Sequence, residues 1–206
     1  MGDGKWFPRL ADVPRVGFVG SPGVDRSRLA GADAVPTVTT YKNLGTTYRS
    51  VMWKTSSGES SARPAQQHAQ QGAEQSTVDG LLRVTWEALE LPGELLDYHF
   101  ALQSAVTFLW QKHRRNANAL AAAEVFARLD LQLLSKHPQE FRIDRDDTGS
   151  GFFHVSTFGP LLTILEREGA WRDALAVAEQ AVAIGQKTAR RDVIAARVAE
   201  LDAEAE

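Results

Sequence analysis

From residue 78 onward the apolar residues recur at intervals of three and four, and this period constrains the chain more than any other feature. Only an α-helix, at 3.6 residues per turn, gathers residues so spaced on one continuous face. Leu81, Leu82, Trp86 and Leu89 mark a first helix. Ser76 or Thr77 is placed to cap it, Asp79 complements its positive end, and Pro92-Gly93 stops it. A second helix over about 94–113 carries Leu95, His99, Leu102, Val106, Leu109 and His113 in one stripe. Phe100, Phe108 and Trp110 fall outside that stripe, which predicts a central helix covered on more than one side. After a polar turn at 114–118, a third helix runs to about His137 on Leu120, Val125, Phe126, Leu129, Leu133 and Leu134, and Pro138 stops it. A polar connection over 139–151 follows and reads as a loop. A fourth helix, about 155–168, buries Phe158, Leu161, Leu162 and Leu165 and closes at Gly169. The fifth begins near Trp171, with Ala174, Ala178 and Ala181 as a seam for close approach beside Leu175 and Val182, and ends at Gly185. A terminal helix over about 189–203 sets Val193, Ile194, Val198 and Leu201 against a charged face. Antiparallel hairpins are therefore predicted at 94–137 and 155–185.

Before residue 78 the pattern is different. Glycine, proline, serine, threonine and glutamine interrupt the chain every few residues. A short β-like run occupies 16–19, and the threonine- and aromatic-rich runs 36–41 and 46–53 flank Lys42-Asn43-Leu44-Gly45. Asparagine and glycine tolerate the positive φ of tight turns, so these runs predict a β-hairpin. Residues 54–75 contain almost no large apolar side chain, and a segment of that composition is expected to be a flexible linker. The reading is mainly α, with a small irregular or β-hairpin region over 1–53, a linker over 54–77 and a helical-hairpin domain over 78–206.

Across 206 residues the chain is 43% hydrophobic and 24% charged, the composition of a protein that folds around a core in water. No run of about 18 apolar residues suggests a membrane span, and the first residues lack the apolar stretch of a secretory signal. A cytoplasmic protein without membrane association is expected. The absence of cysteine removes disulfides, thiolate nucleophiles and cysteine-ligated metal sites. A formal net charge of −3 with no basic block argues against sequence-independent nucleic-acid binding. Lys112, Arg114 and Arg115 form a local basic patch at a helix end, where favourable contact with the helix dipole is the plainer role.

Residues 158–185 resemble a tetratricopeptide hairpin: a large residue and leucines on the first helix, Gly169 at the turn, Trp171 two residues on, then Ala174 and Ala181 on the second helix. Leu162 stands where that family usually has glycine, and no proline follows Gly185. Residues 98–141 read as an earlier, more divergent hairpin. Together with Tyr98-His99-Phe100, the run from Glu166 to Gly185 is also similar to a group of uncharacterised bacterial helical proteins. The resemblance implies a fold of stacked helical hairpins and no activity.

Residues 15–29, a short apolar run leading into a glycine-rich turn, imitate a phosphate-binding loop. Such a loop needs Gly-Lys ahead of its serine, and here Asp25-Arg26-Ser27 puts a carboxylate where phosphate would lie. Of the five histidines, His99 and His113 share a stripe but stand about four turns, roughly 21 Å, apart, too far to share a metal. His68, His137 and His154 have no carboxylate at ligand spacing. Asp144, Asp146 and Asp147 resemble part of a calcium loop, without its glycine and distal glutamate. No catalytic residue, metal or cofactor is assigned. A non-catalytic interaction or scaffold module follows, which binds a protein or peptide partner, with Gln103, Thr107, Gln111, Arg114 and Arg115 as the candidate surface. The alternative is an enzyme with a site in or beside the N-terminal region. Self-association through the last helix or an exposed aromatic is a third class.

Overall fold

The computed structural model describes residues 20–205, apart from 44, 57, 59, 145 and 189. The expected β-like run at 16–19 lies outside them. The protein is mainly α, with a small antiparallel β-hairpin in its N-terminal region. Two compact units divide the chain, Met1–Ala105 and Val106–Glu206. The division falls inside the helix expected to open the first long hairpin.

In the first unit, β1 (Val35–Asn43) pairs with β2 (Thr46–Lys54) in a register that runs from Val35 opposite Lys54 to Asn43 opposite Thr46. Gly45 takes φ +81° at the turn, a conformation that glycine adopts without steric cost. A two-residue β3 (Ser60–Ser61) pairs with Trp53 and Lys54, and Trp53 is buried. Helix α1 (Pro64–Ala73) then runs through the segment expected to be a flexible linker. That expectation considered only the segment's own side chains. Helix α1 has few apolar groups, yet Ala65 and Gly72 are buried, and a Cβ added at Gly72 would lie 3.3 Å from Val84 Cγ1. Small residues let α1 approach α2 (Val78–Leu89) closely, and α2 supplies the apolar surface.

Thr77 caps α2 by accepting from the Gly80 N–H, with Asp79 in the first turn. The buried face of α2 is Val78, Leu81, Val84, Thr85, Ala88 and Leu89. It is rotated from the expected one, because packing against α1 draws in Val84 and Ala88 while Leu82 and Trp86 are only half-buried. Helix α3 (Leu95–Lys112) buries Leu95, Tyr98, His99 and Leu102 in this unit. Phe100, expected to be covered, is 49% exposed, so the helix is not enclosed on that side.

The second unit continues α3 with Val106 and Leu109 buried. Helix α4 (Ala117–Lys136) starts at Asn116, whose side chain accepts from the Asn118 N–H, and buries Phe126, Leu129, Leu133 and Leu134 as expected. A 3₁₀ turn (Pro138–Phe141) follows, and the connection beyond it is more ordered than a plain loop. Phe153 N–H donates to Phe141 O at 2.9 Å and Ile143 N–H to Gly151 O at 2.8 Å, folding 141–153 into a small antiparallel return. Helices α5 (Phe158–Arg167), α6 (Trp171–Ala183) and α7 (Arg190–Glu204) pack in sequence, and α4 packs on α5. Gly169 and Gly185 both have positive φ and close α5 and α6. Ala174, Ala178 and Ala181 are buried, whereas Val182 and Val193 face solvent and Ile194 carries the burial of α7. A buried hydrogen bond, Thr157 Oγ1 to Asp130 Oδ2 at 2.6 Å, ties α4 to the start of α5. Among the described residues, no helix is long and apolar enough to cross a membrane.

Candidate functional site

Between Gly20 and Leu29, the described part of the phosphate-loop-like segment, the Ser21 amide and the Ser21 and Arg26 side chains bond to the protein itself. Ser21 N–H donates to Glu90 Oε1 at 2.7 Å, Ser21 Oγ donates to Trp86 O at 2.8 Å, and Arg26 Nε donates to Glu90 O at 2.9 Å. A buried carboxylate therefore occupies the amide that an incoming phosphate would seek. Asp25 caps a single 3₁₀ turn (Arg26–Arg28), accepting from Ser27 N–H and Oγ, and it pairs with Arg28 at 3.0 Å. The segment is a latch on the end of α2, with Arg26 also donating to Ala32 O.

Carboxylates elsewhere in the first unit serve packing. Asp97 accepts from Glu94 N–H at 2.8 Å, capping α3, and sits 3.3 Å from Arg63, which also pairs with Glu94 at 2.7 Å. Burial pushes the Asp97 carboxyl above its ordinary range, with the Glu94 amide and Arg63 opposing it. Asp33 is held below the ordinary range by hydrogen bonds from Ser56. His68 does meet a carboxylate, which sequence spacing did not reveal: its Nε2 lies 2.8 Å from Glu87 Oε2 across the α1–α2 seam. His99 is buried against Phe100, and His154 is exposed. Asp144 and Asp147 turn onto the Asp146 and Gly149 amides of their own loop. Among the described residues, no group of three or more His, Cys, Asp or Glu side chains is arranged to hold a metal.

The candidate partner surface is divided between the units. Gln103 is half-buried in the first, whereas Thr107, Gln111, Arg114 and Arg115 are exposed in the second. Around the latter four the second unit assembles rings and cations, two pairs at spacings of three and four along the end of α3 and one cation from α5. The imidazole of His113 stacks on Trp110 with centroids 4.5 Å apart and planes 20° from parallel. The Arg167 guanidinium, from the end of α5, lies 5.6 Å from the centroid of the same indole, and Lys112 Nζ lies 5.3 Å from that of Phe108. Arg167 was not foreseen as part of this surface, because its neighbourhood with Trp110 exists only once α5 is placed. Chemically, the cluster offers hydrogen-bond donors, positive charge and the imidazole of His113.

Comparison with protein-family models, with curated proteins and with solved structures finds no match.

Proposed function

We propose that the chain is a non-catalytic interaction or scaffold module that receives a peptide or helix from a protein partner on its helical surface. One observation carries this reading: Thr107, Gln111, Arg114 and Arg115 point outward from a helix end at which rings steady the cations Lys112 and Arg167. Groups so held lose little freedom when a partner docks. The tetratricopeptide-like character proposed for the second unit agrees with this role. There α5 turns at Gly169 into α6, with Ala174, Ala178 and Ala181 buried along the seam. Stacked hairpins of that kind bind through exposed helix faces. A cysteine-free chain suits a cytoplasmic setting, which forms part of the proposal.

The test is affinity capture from an extract of the source cells, with the full chain beside a Thr107→Arg/Gln111→Glu variant, followed by hydrogen exchange on the recovered complex. A protein retained by the wild type, lost by the variant and protecting amides near residues 106–115 is the expected result. Equal retention by both chains would remove the reading.

A further inference from the structure

The cations of the second unit differ in what holds them: Arg142 lies over the Phe152 ring and donates to Gln139 Oε1 and Ser150 O, and several others meet carboxylates. Arg128 meets Glu124 and Asp173, Arg172 meets Asp202, Arg190 meets Glu166, Arg191 meets Glu179 and Asp192, and Arg197 meets Glu200. Lys112, Arg114, Arg115 and Arg167 have no carboxylate partner among the described residues, and all four are exposed. Glu166, adjacent to Arg167, is already paired with Arg190. Two of these four cations are positioned by rings instead, Arg167 by Trp110 and Lys112 by Phe108. A ring orients a cation without neutralising it and leaves its N–H donors available, whereas a carboxylate would consume both charge and donors.

We propose that the partner segment received here is an acidic peptide, whose carboxylates dock on Arg167, Arg114 and Arg115 around the Trp110–His113 stack, with Lys112 on the other flank of the same helix end. This identity rests on the interaction-module reading above. Arginine's planar fork matches a carboxylate with two parallel hydrogen bonds, so steadied arginines select carboxylates by geometry as well as charge. A short acidic segment feels mainly the local field, because charges more than about 8 Å away are screened at physiological salt. A long polyanion would instead extend from four cations onto a chain of net charge −3. A second copy is a poorer occupant, since Asp192, Glu200 and Asp202 on its last helix are engaged by Arg191, Arg197 and Arg172.

Fluorescence anisotropy of the full chain with a fluorescein-labelled peptide of alternating Glu and Ala tests this, with a Ser-Ala peptide as the neutral comparison. Saturable binding of the acidic peptide alone is expected, weakening as salt rises and falling about tenfold in Arg167→Glu and further with Arg114→Glu and Arg115→Glu added. Arg167→Gln should fall between, and Arg197→Glu, which reverses a paired cation outside the cluster, should leave affinity unchanged. The proposal is overturned if the acidic peptide does not bind, or if Arg197→Glu costs as much as Arg167→Glu. It is equally overturned if an oligo-dT strand binds more tightly through the same arginines, or if sedimentation shows self-association that the peptide does not displace. Extract capture that survives while peptide binding fails removes the acidic identity and leaves the module reading standing. Failure of both removes both.

Discussion

The helix pairs α1–α2 and α5–α6 each join two short helices side by side, and they do so with opposite materials. In α5–α6 one helix buries Phe158, Leu161, Leu162, Ile164 and Leu165, and the other meets it with the small side chains Ala174, Ala178 and Ala181. Large apolar area on one partner and close approach on the other provide most of the association. In α1–α2 the apolar residues come mainly from α2, and the edges of α1 are fixed by specific polar contacts. These are His68 to Glu87, Arg63 to Glu94 and Asp97, and Ala65 N–H to Pro92 O at 3.0 Å. An apolar seam tolerates any residue of the right volume, whereas a polar one depends on individual atoms. The first kind leaves a periodic trace in sequence, and the second leaves none.

The strongest challenge to this contrast is Ala174→Leu. Ala174 is fully buried, so three added carbons enter filled space, at an expected cost near the upper end of the ~1–3 kcal/mol seen for overpacking. Glu179→Ala, on the exposed side of the same helix, should stay within about 0.5 kcal/mol. Urea melts of both variants decide the matter, and equal midpoints would refute a close-packed α6 seam. Next in size is Gly93→Ala. A Cβ there would lie 2.6 Å from Ala65 Cβ and 3.2 Å from Asp97 Oδ2, so the start of α1 must shift, at roughly 1–2 kcal/mol. Adding Ala65→Gly removes the closer of the two contacts, and a double-mutant cycle should return a favourable coupling energy. Additive losses would show that α1 does not start against Gly93.

The smallest effect is electrostatic and concerns Asp97→Asn. Because burial raises the Asp97 pKa from its ordinary 3.8, the folded state keeps a proton that the unfolded chain has released just above that pH. The contribution of this carboxyl to stability is complete below the unfolded value and is lost as pH rises through the folded one. Asparagine does not titrate. Wild type should therefore gain on the variant as pH falls from neutral toward 4, as read from urea melts at stepped pH. A difference that holds constant, or grows toward neutral pH, would contradict a desolvated Asp97 at the α1–α3 corner.

The same contrast explains what could be read before the structure. Helices α2 to α7 were legible because their leucines, alanines and aromatics keep a 3.6-residue period, and the Thr77 cap and the stops at Gly169 and Gly185 follow from local backbone chemistry. The β-hairpin was legible from its threonine- and aromatic-rich runs on either side of Lys42-Asn43-Leu44-Gly45. Helix α1 was not, since its burial is supplied by Leu81 and Val84 on another helix and is made possible by what Ala65 and Gly72 lack. On α2, expecting Leu82 and Trp86 inward overlooked the buried Thr85 and Val84, the latter packed against Gly72 of α1. Arg114 and Arg115 were visible as basic residues past a helix end. Arg167 was not, because nothing in one sequence separates an arginine held by a carboxylate, such as Arg190, from one held by a ring.

The polar attachment of α1 also sets a hierarchy of opening within the first unit. Local unfolding costs approximately the apolar surface newly exposed plus the specific bonds broken. Detaching α1 uncovers few apolar groups of its own, chiefly Pro64 and Ala65, together with the part of Leu81 and Val84 that faces Gly72, and breaks contacts that water and salt readily replace. Detaching α2 would uncover Leu81, Val84, Ala88 and Leu89 together. Helix α1 is thus expected to open at lower cost than α2, and hydrogen exchange should find its amides replaced before those of α2.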